Sequence, residues 1–209
     1  MTPAEIHQKL QSKFGDAILD FSADALDPFV KVDPAKILEI ATFLKEEPAL
    51  KFTSLMCLSG IDYGADTNLG LVYNLHSMEK KHKITLRVDL PREEPTLASV
   101  QSVWRTADWH EREAFDLFGI TFENHPDLRR ILCPDDWEGY PLRKDYIVQE
   151  FYHGVRVPYQ EDWAKYETLQ KNPERGNFVF QFESRVPELV ASKKNGQNSD
   201  SKPEDKNDG

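Results

Sequence analysis

Apolar positions recur along the first half of the chain with two distinct periods. A helical period comes first. Thr2 and Glu5 stand three apart as a capping box, and Pro3 suits the first helical position. Ile6, Leu10 and Phe14 line one face, and Gly15 provides the stop. Two short strands follow, AILDF and PFVKV. Asp33-Pro34 then opens a second helix that turns Ile37, Ile40, Ala41 and Leu44 inward, with Pro48 beyond its end.

The period next changes to two. FTSLMCLSGI reads as a strand buried on both sides. LGLVYNLHS places Leu69, Leu71, Tyr73 and Leu75 on one face. HKITLRVDL places Ile84, Leu86, Val88 and Leu90 on one face, with Thr85, Arg87 and Asp89 opposite. Strict alternation of this kind marks a sheet with one covered face. MEKKH is the hairpin tip between these strands, and the two helices are the cover. The fold expected is α+β: a mixed sheet covered by helices on one face, followed by a long irregular C-terminal arm.

Pro91 and Pro95 interrupt the sheet. Ser99 to Trp104 has room for one or two helical turns. A third helix is expected from about Asp108 to Phe118, with Asp108 and Glu111 spaced as cap and third residue and Gly119 as terminator. Beyond Gly119 no period persists. Prolines recur at 126, 134, 141, 158, 173 and 187, with Trp137, Phe151, Tyr152, Tyr159, Trp163, Tyr166, Phe178, Phe180 and Phe182 between them. So long a stretch is unusual inside a compact domain, and it is too aromatic for plain disorder. An extended arm whose aromatics pack on a partner satisfies both facts. The expected organisation is a domain over 1–118, a docking segment and arm over 119–190, and a disordered polar tail over 191–209.

Charge narrows the function. A formal net charge of −10 repels phosphates, which argues against nucleic-acid binding and unaided docking to anionic lipid. Cys57 and Cys133 are too few for a disulfide framework or an iron–sulfur cluster. The N-terminus lacks the pattern of a signal peptide, and no apolar run approaches the length of a membrane span. The glycines of LSGIDYGADTNLG are wrongly spaced for a dinucleotide fingerprint.

The stretch Glu111–Tyr146, EREAFDLFGITFENHPDLRRILCPDDWEGYPLRKDY, holds the densest chemistry. Glu111, Glu113 and Asp116 on one short helix offer paired carboxylates for acid–base work. His110 and Glu113 have a spacing met in di-iron sites, but such sites draw further carboxylates from other helices. HExxH, GxSxG and CxxC are all absent from the sequence, so no catalytic residue and no metal ligand is assigned. Two other readings remain. In one, Arg112, Arg129, Arg130, Arg143 and Lys144 form solvated ion pairs, with Arg112 facing Glu111 or Asp116. In the other, the arginines are forks that clamp carboxylates or carbonyls of another subunit. Arg, Trp and Tyr dominate interface energies. The partner-interface candidates are therefore Arg112, Arg129, Arg130, Trp137, Tyr140, Arg143, Lys144 and Tyr146.

The run Glu111-Arg112-Glu113, Asp116-Leu117-Phe118-Gly119 and His125-Pro126-Asp127-Leu128-Arg129-Arg130-Ile131-Leu132 closely resembles the signature of the C subunit of respiratory complex I. DDWEGYPLRKDY and the earlier SGIDY are similar to the same family. The resemblance implies a non-catalytic scaffold in the hydrophilic arm of a proton-translocating NADH–quinone oxidoreductase. That complex passes electrons from NADH through FMN and iron–sulfur clusters to quinone. The cofactors belong to partner subunits and none to this chain. The partners implied are chiefly the D and B subunits. The place implied is the cytoplasmic face of a bacterial membrane, reached through partners. The polar tail suggests the unfused form. A homologous module of a membrane-bound hydrogenase or related dehydrogenase is the alternative, and an independent carboxylate-based enzyme is a third.

Overall fold

The computed structural model describes residues 1–64 and 67–157. The arm beyond residue 157, with Tyr159, Trp163, Tyr166, Phe178, Phe180 and Phe182, and the polar tail 191–209 lie outside the described residues. Met1–Ile147 form one compact unit, and the described residues 148–157 belong to a second.

Helix α1 (Pro3–Phe14) starts as its sequence dictates. Thr2 Oγ1 accepts the Glu5 N–H at 3.3 Å, and Glu5 Oε2 accepts the Thr2 N–H at 3.0 Å. Ile6 and Leu10 are buried, and Phe14 meets Phe43 edge to face at 5.6 Å. Asp33 caps a single 3₁₀ turn, Pro34–Lys36, by accepting the Ala35 N–H at 2.9 Å. Helix α2 (Ile37–Glu46) then buries Ile37, Ile40, Ala41 and Leu44, the set its period marks out.

Five strands make the main sheet: β1 (Ile18–Ser22), β2 (Phe29–Val32), β3 (Ser54–Asp62), β4 (Leu69–Ser77) and β5 (His82–Leu90). Their order is β1-β2-β5-β4-β3. Only β2 and β5 pair in parallel, so the sheet is mixed. The register sets Leu71 opposite Val88, Tyr73 opposite Leu86 and Leu75 opposite Ile84. All six are buried on the face covered by helices. Lys31–Asp89 pair at 2.7 Å on the other face, and Arg87 lies over the Phe29 ring at 4.1 Å.

Strand β3 departs from expectation. It is an edge strand with one buried face, not a strand buried on both sides. A bulge between Leu55 and Cys57 inserts Met56, which is 62 % exposed. The extra residue lets Leu55 and Leu58, three apart, face the same core, and that spacing mimics a doubly buried run.

Two further strands were not legible. β6 (Thr96–Ala98) and β7 (Thr121–Glu123) pair in parallel on either side of helix α3 (Ala107–Phe118). Three residues are too few to show a period. Helix α3 begins one residue earlier than expected, after Thr106, and Asp108 does not cap it. Gly119 closes it with φ +69°. A side chain on Gly60 would collide with the Phe118 ring, so α3 seats its last turn directly on β3.

The second unit, by itself, shows a small hairpin of β8 (Phe151–Tyr152) and β9 (Val155–Arg156). His153 and Gly154 turn it with positive φ, the backbone that a two-residue hairpin turn requires.

Candidate partner interface

Helix α3 is amphipathic in apolar terms, yet it also buries Glu111, Arg112 and Asp116. Each has a defined use. Asp116 sits 0 % exposed beneath the loop that follows β7. Its Oδ2 accepts the consecutive N–H groups of Ile131 (3.1 Å), Leu132 (2.6 Å) and Cys133 (2.8 Å), and its Oδ1 accepts Arg130 Nη1 (3.0 Å). Burial pushes this carboxyl up, but the three N–H groups outweigh it and hold it below the ordinary carboxylate range. A loop without secondary structure thus finds a partner for three of its backbone donors on one side chain.

The C-terminal carbonyls of α3 are tied to the same segment. Leu142 N–H donates to Leu117 O at 3.1 Å, and Arg143 Nε donates to Phe118 O at 2.6 Å. The positive guanidinium there also suits the negative end of the helix dipole. Tyr140 lies so close to Gly119 that a side chain at that position would collide with its ring. Arg143 stacks over Tyr140 at 4.7 Å, and Trp137 Nε1 donates to Tyr146 Oη at 3.1 Å.

A second buried carboxylate, Asp62 at the end of β3, holds the far end of the segment. It accepts the N–H groups of Gly64 (2.9 Å) and Lys144 (2.7 Å) and a terminal nitrogen of Arg92. Burial raises its pKa, but the Lys144 and Gly64 bonds and Arg92 bring it below the usual value. Arg92 also reaches Asp145 at 2.9 Å and the Thr67 carbonyl at 3.0 Å.

Glu111 belongs to a different cluster. Its Oε2 accepts Ser99 Oγ–H at 2.6 Å and its Oε1 accepts Val100 N–H at 2.8 Å. Here burial prevails over these bonds, and the pKa is pushed up to about 7, with Asp108 adding to the rise. His125 Nε2 lies 3.8 Å from Glu111 and 3.3 Å from Asp108 Oδ1, while its Nδ1 accepts the Asp127 N–H at 3.1 Å. The Tyr73 hydroxyl, fully buried nearby, has no hydrogen-bond partner among the described residues, and burial and Glu111 push its pKa well up.

The eight interface candidates therefore separate. Arg112 does not pair with Glu111 or Asp116. It donates to the carbonyls of Arg129 (3.3 Å) and Arg130 (3.4 Å), and its guanidinium stands 5.4 Å from the Trp109 ring. Arg130 bonds Asp116 and the Gly139 carbonyl. Trp137, Tyr140, Arg143 and Tyr146 pack together, and Lys144 contributes its backbone N–H while its side chain faces solvent. The Arg129 side chain is also exposed, 68 % accessible, and pairs with Asp127 at 2.9 Å. Trp109, Leu132, Leu142 and Ile147 are large exposed apolar side chains within or beside this stretch. Sequence reasoning gave no role to Asp62, Arg92, Ser99 or His125. His125 stood in the signature run and Asp62 in SGIDY, and those were the visible signals.

His110 is half-buried and Glu113 exposed. Among the described residues no group of three or more His, Cys, Asp or Glu side chains is placed to hold a metal ion. Both cysteines are free, and burial and Asp116 push the Cys133 thiol up, away from the reactive thiolate. No helix among the described residues is long and apolar enough to cross a membrane.

A family model described as the respiratory-chain NADH dehydrogenase 30 kDa subunit matches residues 30–152. The C subunit of the NADH-quinone oxidoreductase of Chloroherpeton thalassium is 53 % identical over 155 residues, covering 73 % of this chain and 64 % of that protein. The protein of the same name from Chlorobium phaeobacteroides is 51 % identical over 152 residues, covering 72 % of this chain and 92 % of its own length. Among solved structures, a trypsin-resistant fragment of Nqo5 aligns with TM-score 0.51 at 27 % identity, covering 61 % of this chain and all of the fragment. A chain of an archaeal membrane-bound sulfane sulfur reductase shares the fold, with TM-score 0.60 at 21 % identity, covering 83 % of this chain and 96 % of its own.

Proposed function

This chain belongs to the family of the respiratory-chain NADH dehydrogenase 30 kDa subunit, and on that premise we propose that it is a non-catalytic scaffold in the hydrophilic arm of a proton-translocating NADH–quinone oxidoreductase. The complex moves electrons from NADH through FMN and iron–sulfur clusters to quinone, and those cofactors reside in neighbouring subunits. The kinship at 53 % and 51 % with subunits named for that enzyme favours it over a hydrogenase-type relative. The chain docks chiefly on the D and B subunits, at the cytoplasmic face of a bacterial membrane, and is held there by its partners.

One observation carries the mechanical part of this reading. The irregular segment from Asn124 to Tyr146 is anchored to two buried carboxylates, Asp116 and Asp62, through four of its backbone N–H groups, those of Ile131, Leu132, Cys133 and Lys144. It is a surface shaped before it meets a partner, so less conformational freedom is lost on docking. Arg112, Arg130 and the Trp137 indole act through this shape, which also holds Tyr140, Arg143 and Tyr146 in place. Arg129, with its charge on the surface, acts by direct contact. Electron tunnelling depends on fixed cluster distances, and a rigid bracket between cluster-bearing subunits supplies them.

The experiment is affinity purification from gently solubilised membranes, with identification of companions. Homologues of the D and B subunits are expected. A chain that purifies alone, or with hydrogenase metal-centre subunits, overturns the assignment. Arg129→Glu in the same host should reduce assembled complex while leaving the thermal midpoint of the purified chain unchanged. Normal assembly of that variant removes Arg129 from the interface.

A further inference from the structure

The segment Glu138–Ile147 folds around an open cavity of about 340 Å³, lined by Glu138, Gly139, Tyr140, Arg143, Asp145, Tyr146 and Ile147. Its walls are held from behind. Tyr140 rests on the Gly119 backbone, and the Tyr146 ring lies against Gly139, whose φ is +79° and where a side chain would approach the ring to 2.9 Å. The Tyr146 hydroxyl is fixed by Trp137 at 3.1 Å. Arg143 is oriented by two contacts, Nε to Phe118 O at 2.6 Å and its guanidinium over Tyr140 at 4.7 Å. Neither contact uses the two terminal nitrogens, which make no hydrogen bond among the described residues. A guanidinium so held presents a planar pair of donors with little rotamer freedom left to lose.

Two acids share the cavity. Asp145 is neutralised by Arg92 at 2.9 Å. Glu138 is exposed and has no ion pair among the described residues. Beside Arg143 the remaining walls are Tyr140, Tyr146, Gly139 and Ile147, and the apolar side chains of Leu142 and Ile147 stand exposed in the same segment. This is the composition of an interface anchor: an oriented arginine between tyrosines, with apolar surface beside it.

Resting on the reading of the chain as a docked subunit, we propose that this cavity receives a carboxylate side chain, aspartate or glutamate, from a neighbouring subunit. The terminal nitrogens of Arg143 grip it in a two-pronged ion pair, and the Tyr140 and Tyr146 rings exclude water from it. Bidentate geometry is what distinguishes arginine from lysine at such a site. The occupant is thus defined by charge and planarity, and Arg143 fixes the register of docking.

The test uses the assembled complex. Arg143→Lys places a primary amine at the cavity, and a carbodiimide then joins that amine to any carboxylate in contact with it. The expected product is an isopeptide between the lysine of this variant and an acidic residue of another subunit, identified by mass spectrometry. Linkage to Glu138, Glu150 or another acid of the same chain overturns the proposal, as does no linkage in a variant that co-purifies with its partners. Wild-type protein supplies a second reading that survives poor assembly of the variant. Phenylglyoxal should modify Arg143 in the purified full chain and lose that modification in the complex, whereas equal modification in both overturns the proposal. A complex that assembles without the linkage refutes this inference alone. A chain with no companions refutes the subunit assignment as well.

Discussion

Glu111→Gln is the substitution whose effect is best defined by the structure. The wild-type carboxyl is fully buried and is offered two hydrogen bonds, from Ser99 and Val100. Those bonds do not compensate for lost hydration, and the pKa rises from 4.5 to about 7. The folded state therefore holds the proton more tightly than the unfolded chain does. For a carboxyl raised on folding, stability is greatest below the unfolded value and falls as pH climbs through the folded one. The loss is complete once both states are ionised, and the shift from 4.5 to about 7 sets it at about 3 kcal/mol. A glutamine keeps the shape. Its carbonyl accepts the Val100 N–H, and its amide can donate to Ser99 Oγ once that hydroxyl rotates. It carries no charge at any pH. The difference in unfolding free energy, variant minus wild type, should thus be near zero at about pH 4 and rise toward about 3 kcal/mol at about pH 8. Denaturant titration of the full chain at both pH values measures it. Contributions from Asp116 and Asp62 occur in both proteins and cancel. A difference that does not change with pH refutes the claim that burial raises the Glu111 pKa toward 7, and leaves it an ordinary hydrogen-bonded carboxylate.

Two further outcomes follow from the anchors. Asp116→Ala strands three backbone donors and Arg130, and should destabilise the chain by about 3 kcal/mol or more. The more specific reading is amide exchange at Ile131, Leu132 and Cys133, which should accelerate in step, and unchanged exchange there would show that the loop is held otherwise. Asp116 also has the opposite pH sign to Glu111. Its depressed pKa adds stability above the ordinary 3.8 that is lost as pH falls through the folded value, and Asp116→Asn should lack this acid-side loss. Gly119→Ala meets two obstacles, a φ of +69° and the Tyr140 ring. The conformational part costs about 1 kcal/mol or more, and displacement of Tyr140 should also release Arg143 from Phe118 O. A melting temperature equal to wild type would mean the ring moves aside freely.

Different parts of the fold were legible to different degrees, for identifiable reasons. The faces of α1, α2, β4 and β5 follow from periods of 3.6 and 2, because a residue's side of a helix or strand is set by local geometry alone. Met56 shows the limit: a bulge changes the period by one residue, and a strand with one buried face then looks doubly buried. The candidate site was legible in composition but not in connectivity. Arg112, Arg130 and Arg143 stood out as interface arginines, yet each bonds a carbonyl or carboxylate of its own chain. Asp116 was legible as a helical carboxylate and nothing more, because its three donors come from residues 131–133 across the β7 turn.

Taken alone, the sequence determined the family, the helical and extended faces, the caps at Thr2 and Gly119 and the location of the chemically dense stretch. These are properties of neighbouring residues or of a contiguous motif. Tertiary structure decided what the charges do. Glu111 is pushed up to about 7 and Asp116 is held below the ordinary carboxylate range, although both are buried carboxylates on one helix. The difference is the number of donors that distant segments bring to each: Ser99 and Val100 for one, and three successive N–H groups with Arg130 for the other. Desolvation is a matter of depth and hydrogen bonding a matter of approach, and both are set only when the chain has folded.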